Sequence, residues 1–328
     1  MSATKMNPIG AMNAALAVAM EKDPKVLVLG EDVADREGGG VVGTTRGLST
    51  RFGDDRVRST PIAEQSIIGA AIGAAIGGYK PVAEIMLMNF TTVAMDMIVN
   101  HAAKLRFMSG GQTGVPITIQ MLTGAGHGTA GQHADQLEAW FCHTAGLKVV
   151  APCSPTDYKG LMLSCIDDPD PCLIIINGTT LRMVEEVPDD LAPIPLGKAK
   201  VVQEGTDVTV IGYASTIVAA LPAVETLRAE GVSVELIDLR TVSPWDKALV
   251  LASVKKTGRA VIAHEAVRAH GVGAEIAATI QEELFGQLKA PVRRLGAPFS
   301  PVPFSKPLET AFMVQADDIV AAVKSTLK

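Results

Sequence analysis

The sequence predicts an α/β protein with two domains, each a mainly parallel β-sheet flanked by helices. Two observations predict this class. Nearly continuous apolar runs, such as residues 172–177 (CLIIIN), are typical of strands buried on both faces, and they alternate with helical segments along the chain. One stretch, residues 182–199, is acidic, contains three prolines and lacks an apolar period, so it indicates a boundary between two such units.

The first predicted domain, residues 1–187, follows this alternation from its start. A long loop at residues 124–133 (GAGHGTAGQH) separates its third and fourth predicted strands. The predicted elements, in chain order, are helix 8–21, strand 25–30, a glycine-rich loop at 35–43, helix 65–77, strand 81–87, helix 94–107, strand 115–121, strand 146–152, helix 156–166 and strand 172–177.

A linker at residues 188–199 is expected to lead into a second, smaller α/β domain at residues 200–328. The same alternation of apolar runs and helical segments returns there. Its predicted elements are strand 207–215, helix 216–231, strand 232–240, helix 244–258 and strand 259–266.

Composition narrows the class of protein. The 328 residues are 48% hydrophobic with a net charge of −6 and no basic run, which disfavours nucleic-acid binding. Four cysteines without CxxC spacing indicate reduced thiols in a cytoplasmic protein, and no targeting peptide is expected at the N-terminus. The apolar run at residues 66–79 falls short of the roughly 20 residues that a bilayer needs, so a buried helix is expected there.

One carboxylate, Glu64, lies at the expected start of this apolar helix. Thr60 is predicted to cap the helix and Pro61 suits its first turn. An acid there complements the helix dipole by about 0.3–1 kcal/mol, although a capping box would place it one residue earlier. The alternative is functional: a carboxyl group among apolar residues can keep a proton and share it with a ligand nitrogen.

The same helix carries glycines at every fourth position, Gly69, Gly73 and Gly77. Such a ridge lets another backbone approach closely. The partner could lie inside the domain or across a subunit interface, and the residues alone leave both alternatives open.

His133 is the last residue of the predicted long loop at residues 124–133, which is also rich in glycine. A histidine in such a loop is most often a surface or hydrogen-bonded residue, yet loops that follow strands carry the catalytic groups of parallel α/β folds. His127 and His133 would need further ligands to hold zinc, and the sequence contains no HExxH or CxxC motif. A zinc site is therefore not expected.

Several motifs together resemble a known family. Glu64 followed by Gly69 and Gly73 resembles the acid-plus-glycine pattern of the pyrimidine-binding domain in thiamine diphosphate enzymes. The wider sequence resembles the β subunit of the first component of 2-oxo acid dehydrogenase complexes, which includes pyruvate, branched-chain and acetoin dehydrogenases. The matching segments, which span nearly the whole chain, include 29–34 (LGEDVA), 47–65 (GLSTRFGDDRVRSTPIAEQ), 131–152 (GQHADQLEAWFCHTAGLKVVAP) and 264–285 (HEAVRAHGVGAEIAATIQEELF).

The resemblance implies a transketolase-like pyrimidine-binding domain and a transketolase C-terminal-like domain. It implies that Glu64 hydrogen-bonds a ring nitrogen of the cofactor's aminopyrimidine, and that Met86 and Phe90 pack on that ring, although both residues could simply belong to the core. It places Glu31 near the cofactor, with a solvated acid at a strand end as the alternative. It also implies that His133 assists substrate binding and acyl transfer to the lipoyl group.

Two metals follow from the resemblance. Backbone oxygens of a loop at residues 165–171 are implied to hold a structural potassium ion, with Ile117, Cys165, Asp168 and Asp170 as the candidate residues; a carboxylate-rich turn ending in proline is otherwise only a turn. The chain lacks the GDG and NN motif that carries magnesium and diphosphate in thiamine diphosphate enzymes. A separate α chain is expected to supply those ligands.

The implied enzyme contains two α and two β subunits and is active only when both are present. It catalyses thiamine-diphosphate-dependent decarboxylation of a 2-oxo acid and reductive acylation of lipoamide on a lipoyl-bearing acyltransferase component. Departures at residues 133–136 (HADQ) and 269–275 (AHGVGAE) leave pyruvate, branched-chain 2-oxo acids and acetoin open as substrates. An assembly subunit without chemistry and half of a transketolase-like transferase are the alternatives from other classes.

Overall fold

The computed structural model describes residues 2–328 and divides the chain into two compact units. The first contains residues up to 123 together with 140–176 and 180–196. The second contains residues 124–139, 177–179 and 197–328, so the histidine-bearing loop clusters with the C-terminal part of the chain. The predicted domain limits of 1–187 and 200–328 stay a prediction.

The first unit is built on a sheet of buried apolar strands. Its strands are β1 (Ala3–Met6), β2 (Val26–Gly30), β3 (Val57–Ser59), β4 (Lys80–Leu87), β5 (Thr118–Thr123), β6 (Lys148–Val150), β7 (Cys172–Asn177) and β8 (Glu185–Pro188). Within this unit the order is β6-β7-β5-β4-β2-β3, and β2 runs parallel to both β3 and β4. The carboxyl ends of β2 and β4 therefore meet at one edge, where parallel α/β sheets bind ligands.

Helices cover this sheet. They are α1 (Pro8–Lys22), α2 (Leu48–Phe52), α3 (Glu64–Ile76), α4 (Leu105–Met108), α5 (Glu138–Cys142), which crosses into the second unit, and α6 (Pro155–Asp167). Capping residues determine where α1 and α6 begin. The side chains of Asn7 and Ser154 accept hydrogen bonds from Gly10 N and Asp157 N, and a proline follows each cap. Leu16 and Met20 of α1 lie with Leu161 of α6 in the buried core.

Three predictions for the first unit need correction. Thr60 does not cap α3, because the helix begins at Glu64 with Ala63 as its N-cap, and the Thr60 hydroxyl donates instead to the Pro61 carbonyl. The predicted helix at 94–107 is broken, since Ala103 N bonds to Ile98 O and inserts a π-helical turn. Part of the stretch expected to be a linker forms β8, which pairs antiparallel with β1.

The glycine ridge of α3 contacts few other residues of the described chain. A Cβ at Gly69 would lie 3.5 Å from Met97 Sδ, and one at Gly73 would meet nothing within 4 Å. Gly77 is the residue that ends the helix. Thus no backbone of the described chain packs against the centre of this ridge.

The second unit is a five-stranded sheet in the order β14-β13-β10-β11-β9. Strand β10 runs parallel to β11 and β13, whereas β9 is antiparallel to β11. Its strands are β9 (Lys200–Gln203), β10 (Val208–Gly212), β11 (Val234–Asp238), β13 (Ala260–Val267) and β14 (Arg293–Ala297), with a short β12 (Thr241–Ser243) outside this sheet. Its helices are α7 (Ser215–Ala229), α8 (Lys247–Thr257), α9 (Val272–Leu284), α10 (Lys306–Phe312) and α11 (Ala316–Leu327).

Across residues 2–328, none of the helices has both the length and the apolar character needed to cross a membrane. The four cysteines carry free thiols. The Cys165 thiol lies against Cys172, and this contact together with burial raises the pKa of Cys165 well above its usual range.

Candidate functional site

Three buried carboxyl groups lie at the carboxyl ends of strands β2 and β4 in the first unit. Glu31 directly follows β2 and is 5% exposed, and Glu64, the first residue of α3, is 7% exposed. Glu84 pairs in register with Gly30 and is also buried. The solvated alternative for Glu31 is therefore wrong, because its side chain is withdrawn from water.

Glu84 is buried beside the predicted glycine-rich loop at residues 35–43. Its carboxylate accepts hydrogen bonds from Val41 N at 3.0 Å, Thr44 Oγ1 at 2.9 Å and Gln120 Nε2 at 2.5 Å. Gly40 has a φ of 81°, and a Cβ there would lie 2.5 Å from Glu84 Oε1. Only glycine lets this loop approach the carboxylate so closely. Burial raises the pKa of Glu84, although its hydrogen bonds oppose the shift.

Glu31 differs from Glu84 because one of its oxygens has no partner. Glu31 Oε1 is buried and makes no hydrogen bond with any part of the chain that the structure describes. Burial raises the pKa of Glu31, and repulsion from Glu64, Asp32 and Glu84 adds to the shift. This edge of the sheet thus favours a protonated carboxyl group and offers an unsatisfied polar atom to a ligand.

The two residues expected to support a ligand ring lie at the end of the same strand. Met86 lies near the C-terminal end of strand β4, and Phe90 lies in the 3₁₀ turn Met88–Thr92 that follows it. Both side chains are half-buried. They share the first unit with Glu31 and Glu64, and their contact with a cofactor stays a prediction.

His133 belongs to the second unit. It is half-buried in a turn in which His133 N donates to Ala130 O at 3.2 Å. The next residue, Ala134, is buried in a cluster with Val302 and Phe312. His133 is therefore adjacent in sequence to a residue that is held in a buried cluster.

Glu265 fixes the start of the histidine loop. This carboxylate is 6% exposed and accepts hydrogen bonds from Ala125 N at 2.7 Å and Asn177 Nδ2 at 2.8 Å, and also from the Ser215 hydroxyl. All four residues belong to the second unit. Strand β13, which carries Glu265, thereby holds the first residues of the loop.

Glu138 closes the other end of the loop. Tyr213 donates its hydroxyl to Glu138 Oε1 at 2.6 Å, whereas Oε2 is buried without a hydrogen-bond partner among residues 2–328. Complete burial raises the pKa of Glu138 to about 7, with the Tyr213 hydrogen bond opposing the shift. Glu138 is therefore half-protonated near neutral pH.

This pKa predicts a pH-dependent stability. The folded state binds the Glu138 proton more tightly than the unfolded state, whose pKa is near 4.5, so stability is lost as pH rises from about 4.5 to about 7. At about 1.4 kcal/mol per unit, the full loss is about 3 kcal/mol. Glu138→Gln keeps an acceptor for Tyr213 and removes the charge. It should leave the melting temperature unchanged at pH 4.5 and raise it by roughly 5 °C or more at pH 8.

Calorimetric scans between pH 4.5 and 8 check this prediction. Glu283→Gln is the matched control, because Glu283 lies on the surface of the same unit in an ion pair with Lys247. Parallel stability curves for Glu138→Gln and the unmodified chain would contradict the buried-acid account.

The candidate potassium residues lie together in the first unit. Ile117 O accepts a hydrogen bond from Cys172 N at 3.0 Å, and Cys165 O accepts one from Asp168 N at 3.4 Å. Lys148 Nζ lies 2.5 Å from Asp168 Oδ1, and Arg106 pairs with Asp170. The two carboxylates thus have cationic partners from the chain, and the potassium site stays a prediction.

The sequence matches two families in succession. Residues 4–183 match the transketolase pyrimidine binding domain, and residues 197–319 match the transketolase C-terminal domain. The chain is 41% identical to acetoin:2,6-dichlorophenolindophenol oxidoreductase subunit beta of Cupriavidus necator, over 97% of this chain and 96% of that protein. It is 41% identical to the mitochondrial pyruvate dehydrogenase E1 component subunit beta-2 of Oryza sativa subsp. japonica, over 98% and 86%. It is 44% identical to the mitochondrial 2-oxoisovalerate dehydrogenase subunit beta 2 of Arabidopsis thaliana, over 99% and 90%.

The chain belongs to the transketolase-like family of 2-oxo acid and acetoin dehydrogenase β subunits. The predicted family and the predicted two-domain α/β fold are therefore confirmed. A solved chain described as a split-gene transketolase in an inactive β4 tetramer has the same fold, with a TM-score of 0.81 and 23% identity over 98% of each chain.

The transketolase-like family depends on thiamine diphosphate, and the first unit fits the polar edge of that cofactor. Two buried acids lie at this edge: Glu64 at the start of α3, and Glu31, which has an unpaired oxygen. Such acids match a ligand that presents ring nitrogens. Half-buried Met86 and Phe90 supply apolar surface on the same unit. The sheet edge thus contains both the polar and the apolar groups that a pyrimidine ring needs.

Sequence reasoning missed the carboxylates that hold these groups in place. Glu84 and Glu265 each lie within a mainly apolar strand, which was an available signal for a buried and hydrogen-bonded acid. Glu138 and Glu309 lie in short helices rather than in apolar strands, and Glu309 has other polar residues beside it.

Proposed function

We propose that the chain is the β subunit of a 2-oxo acid dehydrogenase first component. With an α subunit, it would catalyse thiamine-diphosphate-dependent decarboxylation of pyruvate or a branched-chain 2-oxo acid and reductive acylation of lipoamide. The observation that carries this proposal is the identity of 41% or more to named β subunits along nearly the whole chain. An assembly subunit without chemistry would have no need for two buried, closely spaced acids such as Glu31 and Glu64.

Glu64 is proposed to be a catalytic residue. When bound, thiamine diphosphate would supply a nucleophilic carbon for the substrate carbonyl and a thiazolium ring that can accept the electron pair released with carbon dioxide. The buried Glu64 carboxyl group would hydrogen-bond the pyrimidine ring nitrogen, and Glu31, whose pKa is raised by burial, would extend this acidic edge. Met86 and Phe90 would orient the ring by apolar contact.

His133 is proposed as the second catalytic residue. An imidazole can donate or accept a proton near neutral pH, as substrate binding and acyl transfer to a lipoyl group require. Buried carboxylates hold both ends of its loop, which restricts the motion of the backbone that carries the imidazole ring. That restriction suits a group that has to meet a substrate atom.

The partners are proposed on the same basis. The subunit names of the relatives support an α subunit, and we propose a tetramer of two α and two β subunits with magnesium ligands on the α chain. A lipoyl-bearing acyltransferase would accept the acyl group. Backbone oxygens at Ile117, Cys165, Asp168 and Asp170 are proposed to hold potassium. The four free thiols favour the cytoplasm as the location.

Acetoin cleavage is the second candidate function. A relative named for acetoin is 41% identical, as is one named for pyruvate, so identity does not separate the substrates. The same nucleophilic carbon can add to the carbonyl of a 2-oxo acid or of a hydroxyketone.

A substrate panel tests the proposed function. The purified α and β chains, with magnesium and thiamine diphosphate, should reduce dichlorophenolindophenol with one of pyruvate, 2-oxoisovalerate and acetoin at least about tenfold faster in kcat/KM than with the others. With a 2-oxo acid, the complete complex should also reduce lipoamide. An assembled complex that reduces neither acceptor with any of the three substrates would contradict the proposal.

A further inference from the structure

A carboxylate nearly two hundred residues away in sequence binds the backbone of the histidine loop. Glu309, in helix α10, is 3% exposed. Its Oε1 accepts hydrogen bonds from Gly126 N at 2.8 Å and Gly128 N at 3.1 Å, and its Oε2 accepts from Gly128 N at 3.1 Å. Both carboxylate oxygens are thus used to hold two backbone amides of one short loop.

The loop has the conformation that such a contact requires. Gly124, Gly126 and Gly128 have φ angles of 115°, 102° and 69°, which residues with a Cβ adopt at a cost. Left-handed residues in alternation turn successive N–H groups toward one side, which creates a concave site for an anion. Here the anionic group comes from the protein itself.

The same helix also holds the far side of His133. Phe312 of α10 is buried in one cluster with Ala134, the residue after His133. Met313, which follows the helix, lies against Gly126, where a Cβ would be 3.3 Å from its sulfur. One seven-residue helix therefore fixes the chain on both sides of the histidine.

A second contact keeps the intervening turn in place. A Cβ at Gly131 would lie 3.1 Å from Pro301 Cβ, so this part of the loop packs directly on the segment that precedes α10. Ala130 has a φ of 61° and accepts the hydrogen bond from His133 N. The turn is held in an unusual conformation by its surroundings, as functional loops often are.

We infer that Glu309 is a positioning residue for His133, acting through the backbone of residues 126–134. The inference rests on the proposed role of His133 in acyl transfer to lipoamide. Glu309→Gln retains one acceptor oxygen but turns an NH₂ donor toward an amide that also donates. The loop then loses part of its attachment while the volume of the side chain is kept.

The experiment uses the complete complex of α chain, β chain and lipoyl acyltransferase. His133→Ala should lower the rate of lipoamide reduction about 100-fold, the scale of a lost general acid. Glu309→Gln should lower that rate by about 10- to 100-fold, because small displacements of a catalytic group cost that much. Dichlorophenolindophenol reduction needs substrate binding but no transfer to lipoamide, so it should fall by a clearly smaller factor than the lipoamide rate. The double variant should be no slower than His133→Ala alone.

Controls separate positioning from loss of stability. Glu283→Gln, on the surface of the same unit, should change neither rate. Glu309→Asp keeps the charge and should recover part of the lipoamide rate, and it serves as the test variant if Glu309→Gln fails to assemble. Equal losses in both assays, additive effects in the double variant, or an unchanged lipoamide rate would overturn the inference.

Amide hydrogen exchange decides the structural part independently of activity. Peptides covering residues 124–134 should exchange at least about tenfold faster in Glu309→Gln, whereas peptides from β10 and β11 should be unchanged. If the unmodified complex fails to reduce lipoamide, the proposed function fails, and the exchange data still show whether Glu309 holds the loop. Unchanged exchange at 124–134 would overturn the inference by itself.

Discussion

Replacing Glu64 with glutamine is expected to lower turnover of the complete enzyme by about 100- to 10,000-fold while leaving the fold intact. The amide matches the carboxyl group in shape but has no acidic proton to share. The substitution removes no helix cap, because the N-cap of α3 is the preceding residue, Ala63, which makes no side-chain capping bond. Losing the first-turn charge costs no more than about 1 kcal/mol of helix stability.

The measurement is exchange of the thiazolium carbon proton for deuterium, followed by NMR after acid quenching of the α and β complex. This readout reports on cofactor activation before any substrate is involved. Glu275→Gln is the matched control, since Glu275 is an exposed acid in the first turn of α9. Exchange at the unmodified rate in Glu64→Gln would remove the catalytic role assigned to Glu64.

Secondary structure was predictable where burial alone decides it. Strand β7 has the predicted limits, 172–177, because every one of its residues is buried and apolar runs of that length rarely form anything else. The cap of α3 was mispredicted because Thr60 has good capping chemistry but lies ahead of the N-cap residue Ala63, and its hydroxyl donates to the Pro61 carbonyl. The π-helical turn at Met97–Ala102 has no signal in the apolar pattern, since one inserted residue changes the hydrogen bonds without changing composition.

The candidate site was predictable only for residues that carry family motifs. Glu64 and His133 stand in short recognisable segments, whereas the groups that hold them do not. Glu309 bonds to Gly126 across 183 residues of chain, and Glu138 bonds to Tyr213 across 75. Pairings at such separations depend on tertiary packing, which single-sequence patterns do not encode.

The isolated chain is expected to bind thiamine diphosphate and magnesium at least about 100-fold more weakly than the complex with the α chain, a difference of about 2.7 kcal/mol. The chain has acids and apolar groups for the pyrimidine ring but no GDG and NN motif for the diphosphate. Within residues 2–328, no cluster of three or more histidine, cysteine, aspartate or glutamate side chains could hold a metal ion. We therefore expect the groups that bind the diphosphate and magnesium to come from another chain.

Exposed apolar residues in the first unit support an interface of that kind. Ile62, just before α3, and Ile76, its last residue, are 83% and 52% exposed, and a Cβ at Gly73 would meet nothing within 4 Å. Phe107 and Met108 are 91% and 73% exposed. Burying such groups fits the obligate interfaces that cover more than about 2,000 Å². The open glycine face would admit a helix backbone from a partner.

Isothermal titration calorimetry of the isolated chain decides the question. Thiamine diphosphate added with magnesium should give no saturable heat at micromolar concentrations, and mixing with the α chain should restore tight binding. Glu64→Gln in the complex is the control, because it should still bind the diphosphate and magnesium through the α chain. Micromolar, magnesium-dependent binding by the β chain alone would refute the division of the site between two chains.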